Sequence, residues 1–191
     1  MENITIQRSV LVAAYKAGNE EQKQMLEQLC GKEVFATNWR DITSYERACE
    51  VLGIQAREFK EIGDRPQYMR MANAMQQLLV ICEAINAGNG WYDKDGLGYY
   101  PVFALYSKHE MDELGEAECK RKGIHQLLAT CSASSAGVAG VRYAYTSFRS
   151  ADANSHYGFP LCLNSQEKAE FVGKQFFELC CTCYGLTPKM D

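Results

Sequence analysis

Apolar residues recur at helical spacing through the first part of the chain. Ile6, Val10, Ala13, Ala14 and Ala17 predict a helix that Gly18 can end. Asn19 then caps a second helix, with Gln22 three residues on, and Gly31 supplies a stop after Met25, Leu26 and Leu29. An extended piece from Glu33 to Trp39 leads to a capping box at Thr43 and Glu46. The helix that follows carries Tyr45, Ala48, Cys49 and Leu52 and ends at Gly53. The clearest helix runs from Pro66 to Ala87, with Pro66 suited to a first turn and Gly88 to a stop. Its stripe is Tyr68, Met71, Met75, Leu78, Leu79, Cys82 and Ile85, which reads as one side of a core rather than as a methionine-rich groove.

The period changes after that helix. The stretch Asn89–Gly98 is rich in turn residues, and Tyr99–Tyr106 alternates as a strand does. A polar helical insertion covers 108–122, and strands are predicted near 125–131, 138–147 and 159–163. The chain closes with an amphipathic helix from Gln166 to Tyr184. Asn164 or Ser165 caps it, Gly185 ends it, and Phe171, Val172, Phe176, Leu179, Cys180 and Cys183 form its core face. This order predicts an α+β fold: N-terminal helices, a central antiparallel sheet and a C-terminal amphipathic helix packed on it. A single domain over 1–191 is expected, helical over 1–88, sheet-rich over 89–165, with a helix and tail over 166–191. No internal repeat is evident.

Charge and cysteine usage narrow the setting. With 191 residues, 47% hydrophobic and 23% charged, the chain has a globular balance. A formal charge of −4 with dispersed basic residues argues against a double-stranded nucleic acid partner. The run Lys120-Arg121-Lys122 follows Glu116 and Glu118 and reads as a solvated helix end. No apolar run reaches the roughly 18–20 residues that cross a bilayer, so no membrane partner is expected. Met1-Glu2-Asn3 does not begin a secretory leader. A cytoplasmic location in a bacterial host is therefore expected, with virion association compatible. Nine cysteines are present: Cys30, Cys49, Cys82, Cys119, Cys131, Cys162, Cys180, Cys181 and Cys183. An odd number without an export route predicts reduced thiols that pack as small hydrophobes.

The familiar catalytic motifs are missing: no GxGxxG, Walker sequence, HExxH or GxSxG occurs. Cys180, Cys181 and Cys183 on a helix point around three sides and cannot converge on a tetrahedral ion, so no metal and no cofactor are expected. Asp93-Lys94-Asp95-Gly96 starts like a calcium loop but lacks the later ligands, and a tight turn accounts for it. The least ordinary segment is 127–165. Its 39 residues contain no Lys, Glu, Gln, Met or Trp, where the chain's composition predicts about ten. Tyrosine among Ser, Gly and Asn is the chemistry of adaptable recognition surfaces, although a small-residue β-meander has the same composition.

Several stretches carry a family resemblance: Ala14-Tyr15-Lys16, Cys30-Gly31-Lys32-Glu33-Val34-Phe35, Tyr45 to Gly53, Tyr99-Tyr100-Pro101-Val102-Phe103, Gly158 to Leu163, and Lys168 to Phe176. On these the chain resembles phage- and prophage-encoded proteins of gut Bacteroidales. The resemblance implies a setting and no activity. Where such proteins read Gly-Ser-Arg-Leu, this one has Gly158-Phe159-Pro160-Leu161. The 127–165 composition is also similar to the variable region of diversity-generating-retroelement proteins, which implies a C-type-lectin-like fold.

The leading functional reading is a non-catalytic binding protein with no catalytic residues. Its ligand-binding surface is expected from Trp91, Tyr92, Tyr99, Tyr100, Arg142, Tyr143, Tyr145, Arg149, His156 and Tyr157. Tyrosine faces would stack on a flat ligand or protein partner, and Arg142 or Arg149 would pair an anion. In a phage setting the ligand would be a host molecule or a host defence signalling nucleotide. One alternative is a small enzyme. Either Cys119 or Cys131 would be its nucleophile with His109, His125 or His156 as base, or Asp93, Asp95 and His156 would form a polar cluster. The other is a structural or assembly protein, with a homo-oligomer compatible with either.

Overall fold

The computed structural model describes residues 6, 8–31, 35, 38–60, 66–87, 90–130, 137–150 and 161–190. The chain divides into two compact units, residues 1–38 and 39–191. The first holds α1 (Arg8–Ala17) and α2 (Glu20–Cys30). Asn19 closes the expected capping box, its side chain accepting from the Gln22 N–H while Gln22 accepts from the Asn19 N–H. The Tyr15 hydroxyl donates to Glu27 Oε1 at 2.6 Å, tying the two helices together.

The second unit opens with a 3₁₀ turn, Trp39–Asp41, at the end of the stretch expected to be extended. The rest of that stretch lies largely outside the described residues. Helix α3 (Tyr45–Leu52) is capped by Ser44, one residue later than the expected Thr43, because the Ser44 hydroxyl reaches the Arg47 N–H. Gly53 takes the left-handed conformation that stops it. Helix α4 (Pro66–Asn86) buries most of its surface in its second half. Towards its end Ile81, Cys82, Ala84, Ile85 and Asn86 are all buried, and Glu83 keeps the remaining side in solvent. The expected stop at Gly88 lies outside the described residues; Ala87 already has φ 53°.

Among the described residues four strands follow: β1 (Leu97–Ser107), β2 (His125–Thr130), β3 (Val138–Ser150) and β4 (Leu186–Pro188), in the antiparallel order β1-β3-β2-β4. Together with the helices they make the expected α+β architecture. The insertion between β1 and β2 is two helices, α5 (Lys108–Leu114) and α6 (Glu116–Arg121), because Gly115 between them has φ 75°. Ser107 and Glu110 form a capping box at the start of α5. Of the strand expected at 159–163, residues 159 and 160 lie outside the described residues. Leu163 exchanges two 2.8 Å hydrogen bonds with Tyr99 as an isolated bridge. The closing helix is broken at Phe176 into α7 (Gln166–Gln175), capped by Ser165, and α8 (Phe177–Cys183). The strand β4 beyond Gly185 was not foreseen.

Two apolar clusters share the residues from the break onward. Phe176, Cys180 and Cys183 join Ile42, Leu78, Ile85, Leu163 and Val172 in the larger one. Phe177 and Cys181 join Val141 and Leu186 in the smaller. Adjacent helical residues diverge by about 100°, so residues 176–183 can serve both clusters at once. Helix α7 lies against the β1–β3 ribbon at Gly173, where a Cβ would sit 2.6 Å from Pro101 Cβ and 2.7 Å from the Tyr143 ring. At the junction between α4 and the chain before α7, buried Asn86 donates to the Cys162 carbonyl at 3.2 Å and accepts from the Asn164 N–H at 3.1 Å.

Candidate functional site

The β1–β3 ribbon carries most of the residues that sequence singles out, and its register decides which of them share a face. Cross-strand partners lie on the same face of an antiparallel pair, and neighbours along a strand on opposite faces. Phe103 pairs with Tyr143 and Leu105 with Val141, whereas Val102 pairs with Tyr145 and Ala104 with Arg142. The pairing slips between Val102 and Phe103, which leaves Ala144 as the extra residue of a β-bulge. One face therefore carries Phe103, Val141, Tyr143 and Thr146. That face packs under α7: the Tyr143 hydroxyl bonds Thr146 Oγ1 at 2.8 Å, and the Lys174 ammonium stands 5.7 Å from the Tyr143 ring centre. The opposite face carries Tyr100, Val102, Tyr106, Arg142, Tyr145 and Ser147. Helix α5 covers one corner of it, where Met111 and Ile124 close on Gly140. Tyr145 on this face is 59% exposed.

Arg142 is the chemical centre of the open face. Its Nε donates to the Tyr106 hydroxyl at 2.6 Å, and its Nη1 donates to the Tyr143 carbonyl at 3.3 Å. The guanidinium lies 6.0 Å from the Tyr106 ring centre. Neutral oxygens hold it, and among the described residues no carboxylate pairs with it. An oriented guanidinium with donors to spare suits an anion, because its planar fork matches carboxylate and phosphate oxygens.

The remaining expected residues have different surroundings. Trp91 packs against the larger core cluster, and the Tyr92 ring stands over Gly98. Tyr99 packs against the same cluster and donates its hydroxyl to Asp93 Oδ2 at 3.1 Å. These three therefore frame the fold, while Tyr100, Arg142 and Tyr145 come together on the open face and Tyr143 lies behind it. The Arg149 backbone pairs with Gly98, its side chain lying outside what is described. His156 and Tyr157 also lie outside the described residues. Sequence reasoning missed Tyr106 and Val102, which the alternation from Tyr100 could have placed beside it.

Other candidate chemistry resolves into structure. Asp93 accepts from the Asp95 and Leu97 N–H groups at 2.9 and 2.8 Å, forming the expected tight turn. The Leu97 N–H chiefly holds its carboxyl below the usual range. Among the described residues no cysteine is in a disulfide. Burial pushes Cys82 and Cys181 up to about 12 and raises Cys180 and Cys183 as well, which opposes thiolate formation. Cys119 is buried and donates to the Met111 carbonyl, and Cys131 lies outside the described residues. His125 packs on Phe177, and His109 is an exposed neighbour of Glu113. Among the described residues no group of Cys, His, Asp or Glu is arranged to hold a metal, and no helix is long and apolar enough to cross a membrane.

Fold and site together define an α+β protein whose antiparallel ribbon is packed on one face and open, tyrosine-bearing and cationic on the other. Compared with protein-family models, with curated proteins and with solved structures, the chain matches none.

Proposed function

We propose that this chain is a non-catalytic binding protein whose recognition surface is the open face of β1 and β3. The observation that carries the reading is Arg142, oriented by Tyr106 and the Tyr143 carbonyl and paired with no carboxylate among the described residues. Exposed Tyr145 offers aromatic surface beside that cation, and Tyr100 lies diagonally beyond Tyr145 on the same face. The combination fits a flat ligand bearing an anion. In the phage or prophage setting that the sequence resembles, such a ligand is a host molecule or a host defence signalling nucleotide. The small-enzyme alternative finds no support in Cys119, which is buried and engaged with the Met111 carbonyl, nor in Cys82 and Cys180, whose thiols burial raises.

A panel of adenine and guanine mononucleotides and cyclic dinucleotides, titrated into the full chain and followed by amide chemical shifts, tests the proposal. Arg142→Gln and Tyr145→Ala should each weaken binding about tenfold or more. Tyr143→Phe, altered behind the face, should bind like wild type. No binding by any nucleotide sinks the nucleotide class, and binding indifferent to both variants sinks the surface.

Exposed Leu128 (65%) on β2 and Phe148 (60%) on β3 favour a second reading, an assembly protein whose sheet meets another subunit. Sedimentation over a range of concentrations separates the two: a monomer throughout removes self-association.

A further inference from the structure

A concavity of about 450 Å³ is bounded by α5, α6, β2 and the chain after β4. That volume is in the range of small-molecule sites. Buried Ile124 and half-buried Met111 supply its apolar lining. Asp112, Glu116, Lys120 and Lys189 also line it, two carboxylates and two ammonium groups, with His125 and Gln126 beside them.

The pairing of these charges is unusual for their spacing. Glu116 and Lys120 are four residues apart on α6 with the acid first, the order that favours an ion pair on a helix. Glu170 and Lys174 have the same spacing and order and close at 2.6 Å. Next door, Glu118 binds Arg121 at 2.6 Å and Lys122 at 3.5 Å. Yet among the described residues Asp112, Glu116, Lys120 and Lys189 make no side-chain ion pair or hydrogen bond, with each other or with anything else. Equal numbers of opposite charges thus surround one apolar-floored space without neutralising each other. A simple anion would meet the two carboxylates, and a simple cation the two ammonium groups. A ligand carrying both charges can satisfy both pairs.

We infer that this concavity binds a small zwitterion of the amino-acid type with an apolar side chain. Its ammonium group faces Asp112 and Glu116, its carboxylate faces Lys120 and Lys189, and its side chain rests on Met111 and Ile124. The inference needs no part of the reading proposed for the Arg142 face, although Met111 and Ile124 also close on a corner of that face at Gly140. Because the four charged residues are exposed, binding should weaken as salt screens them.

The test is an amide chemical-shift titration of the full chain with L-leucine, L-methionine and L-phenylalanine. Two further probes lack one charge of leucine: 4-methylpentanoate has no amine, and 3-methylbutylamine has no carboxylate. At least one amino acid should shift the Met111 and Ile124 signals. If leucine binds, both truncated probes should bind at least about tenfold more weakly; if only methionine or phenylalanine binds, the same comparison is made with its own truncated analogues. Glu116→Gln and Lys120→Gln, both at exposed positions, should each weaken the amino acid severalfold, while Arg142→Gln leaves it unchanged. The inference is overturned if none of the three amino acids shifts those signals at about 10 mM, a concentration that detects even millimolar affinity. It is equally overturned if a singly charged probe binds as well as its parent, or if neither pocket variant weakens binding.

Discussion

Replacing Gly173 with alanine sets two effects of opposite sign against each other. Gly173 lies inside α7, where alanine is the better helix former by about 1 kcal/mol. Were the helix exposed there, Gly173→Ala would stabilise the protein. The added Cβ, however, would stand 2.6 Å from Pro101 Cβ and 2.7 and 2.8 Å from two atoms of the Tyr143 ring. Those neighbours yield poorly. Pro101 is part of the β1 backbone, and Tyr143 is tied through its hydroxyl to Thr146 and flanked by Lys174. Overpacking of this kind costs about 1–3 kcal/mol. After subtracting the propensity gain, a net loss of about 1–2 kcal/mol is expected at the upper part of that range. Urea unfolding followed by tryptophan fluorescence is the suitable assay, since both tryptophans, Trp39 and Trp91, belong to the 39–191 unit. With a slope of about 2 kcal/mol per molar, the midpoint should fall by about 0.5–1 M. A midpoint that rises instead would mean that propensity alone governs the site. The close seat of α7 on the ribbon, and with it the assignment of Tyr143 to the packed face, would then be refuted.

Asn86→Ala should cost about 2–3 kcal/mol in the same assay, because it leaves the Cys162 carbonyl and the Asn164 N–H without their partner; a loss below about 0.5 kcal/mol would show that water replaces the side chain easily. Asp93 has a folded-state carboxyl below the usual range, so the stability it contributes is complete above the ordinary carboxylate value of about 4 and lost as pH falls through its depressed value. The stability difference between wild type and Asp93→Asn should therefore shrink as pH drops from about 5 towards 2, and a difference independent of pH would exclude the charge as its source. In timed alkylation near neutral pH, half-exposed Cys30 should react before Cys49, Cys82, Cys162, Cys180 and Cys181, all of them buried. Rapid labelling of Cys82 or Cys180 in the native state would contradict the burial that raises their thiols.

The helices were largely legible because their signals are local. Asn19 with Gln22, Gly53, Pro66 and Ser165 act within one turn of chain, and each marks a boundary in the structure. The core face of the closing helix was legible too: Val172, Phe176, Cys180 and Cys183 are buried as their spacing predicts. What escaped depends on distant partners. Phe176 and Phe177 at the break belong to two separate clusters, and β4 joins a strand edge that Thr130 and Leu127 offer it. Trp91, Tyr92 and Tyr99 stand out as aromatics in the sequence, but composition cannot show that the core, Gly98 and Asp93 occupy them.

The open face turns on a single extra residue. In an unbroken strand, Tyr143 and Tyr145 would point the same way and Arg142 the other, since side chains alternate with period 2. Ala144 interrupts that alternation. It lets Tyr143 stay with Phe103 beneath α7 while Tyr145 turns over to join Arg142. A second slip, between Tyr106 and Ser107, leaves Ala139 over in the same strand just before Gly140. Both extra residues are alanines, small enough to sit in a bulge without demanding a pocket of their own. A bulge also sharpens the local twist, which re-aims the side chains beside it. The abundance of small residues in the segment thus has a structural use that composition alone does not reveal. It supplies the bulges that sort the tyrosines between core and surface, and one of those bulges places a cation beside an exposed aromatic ring.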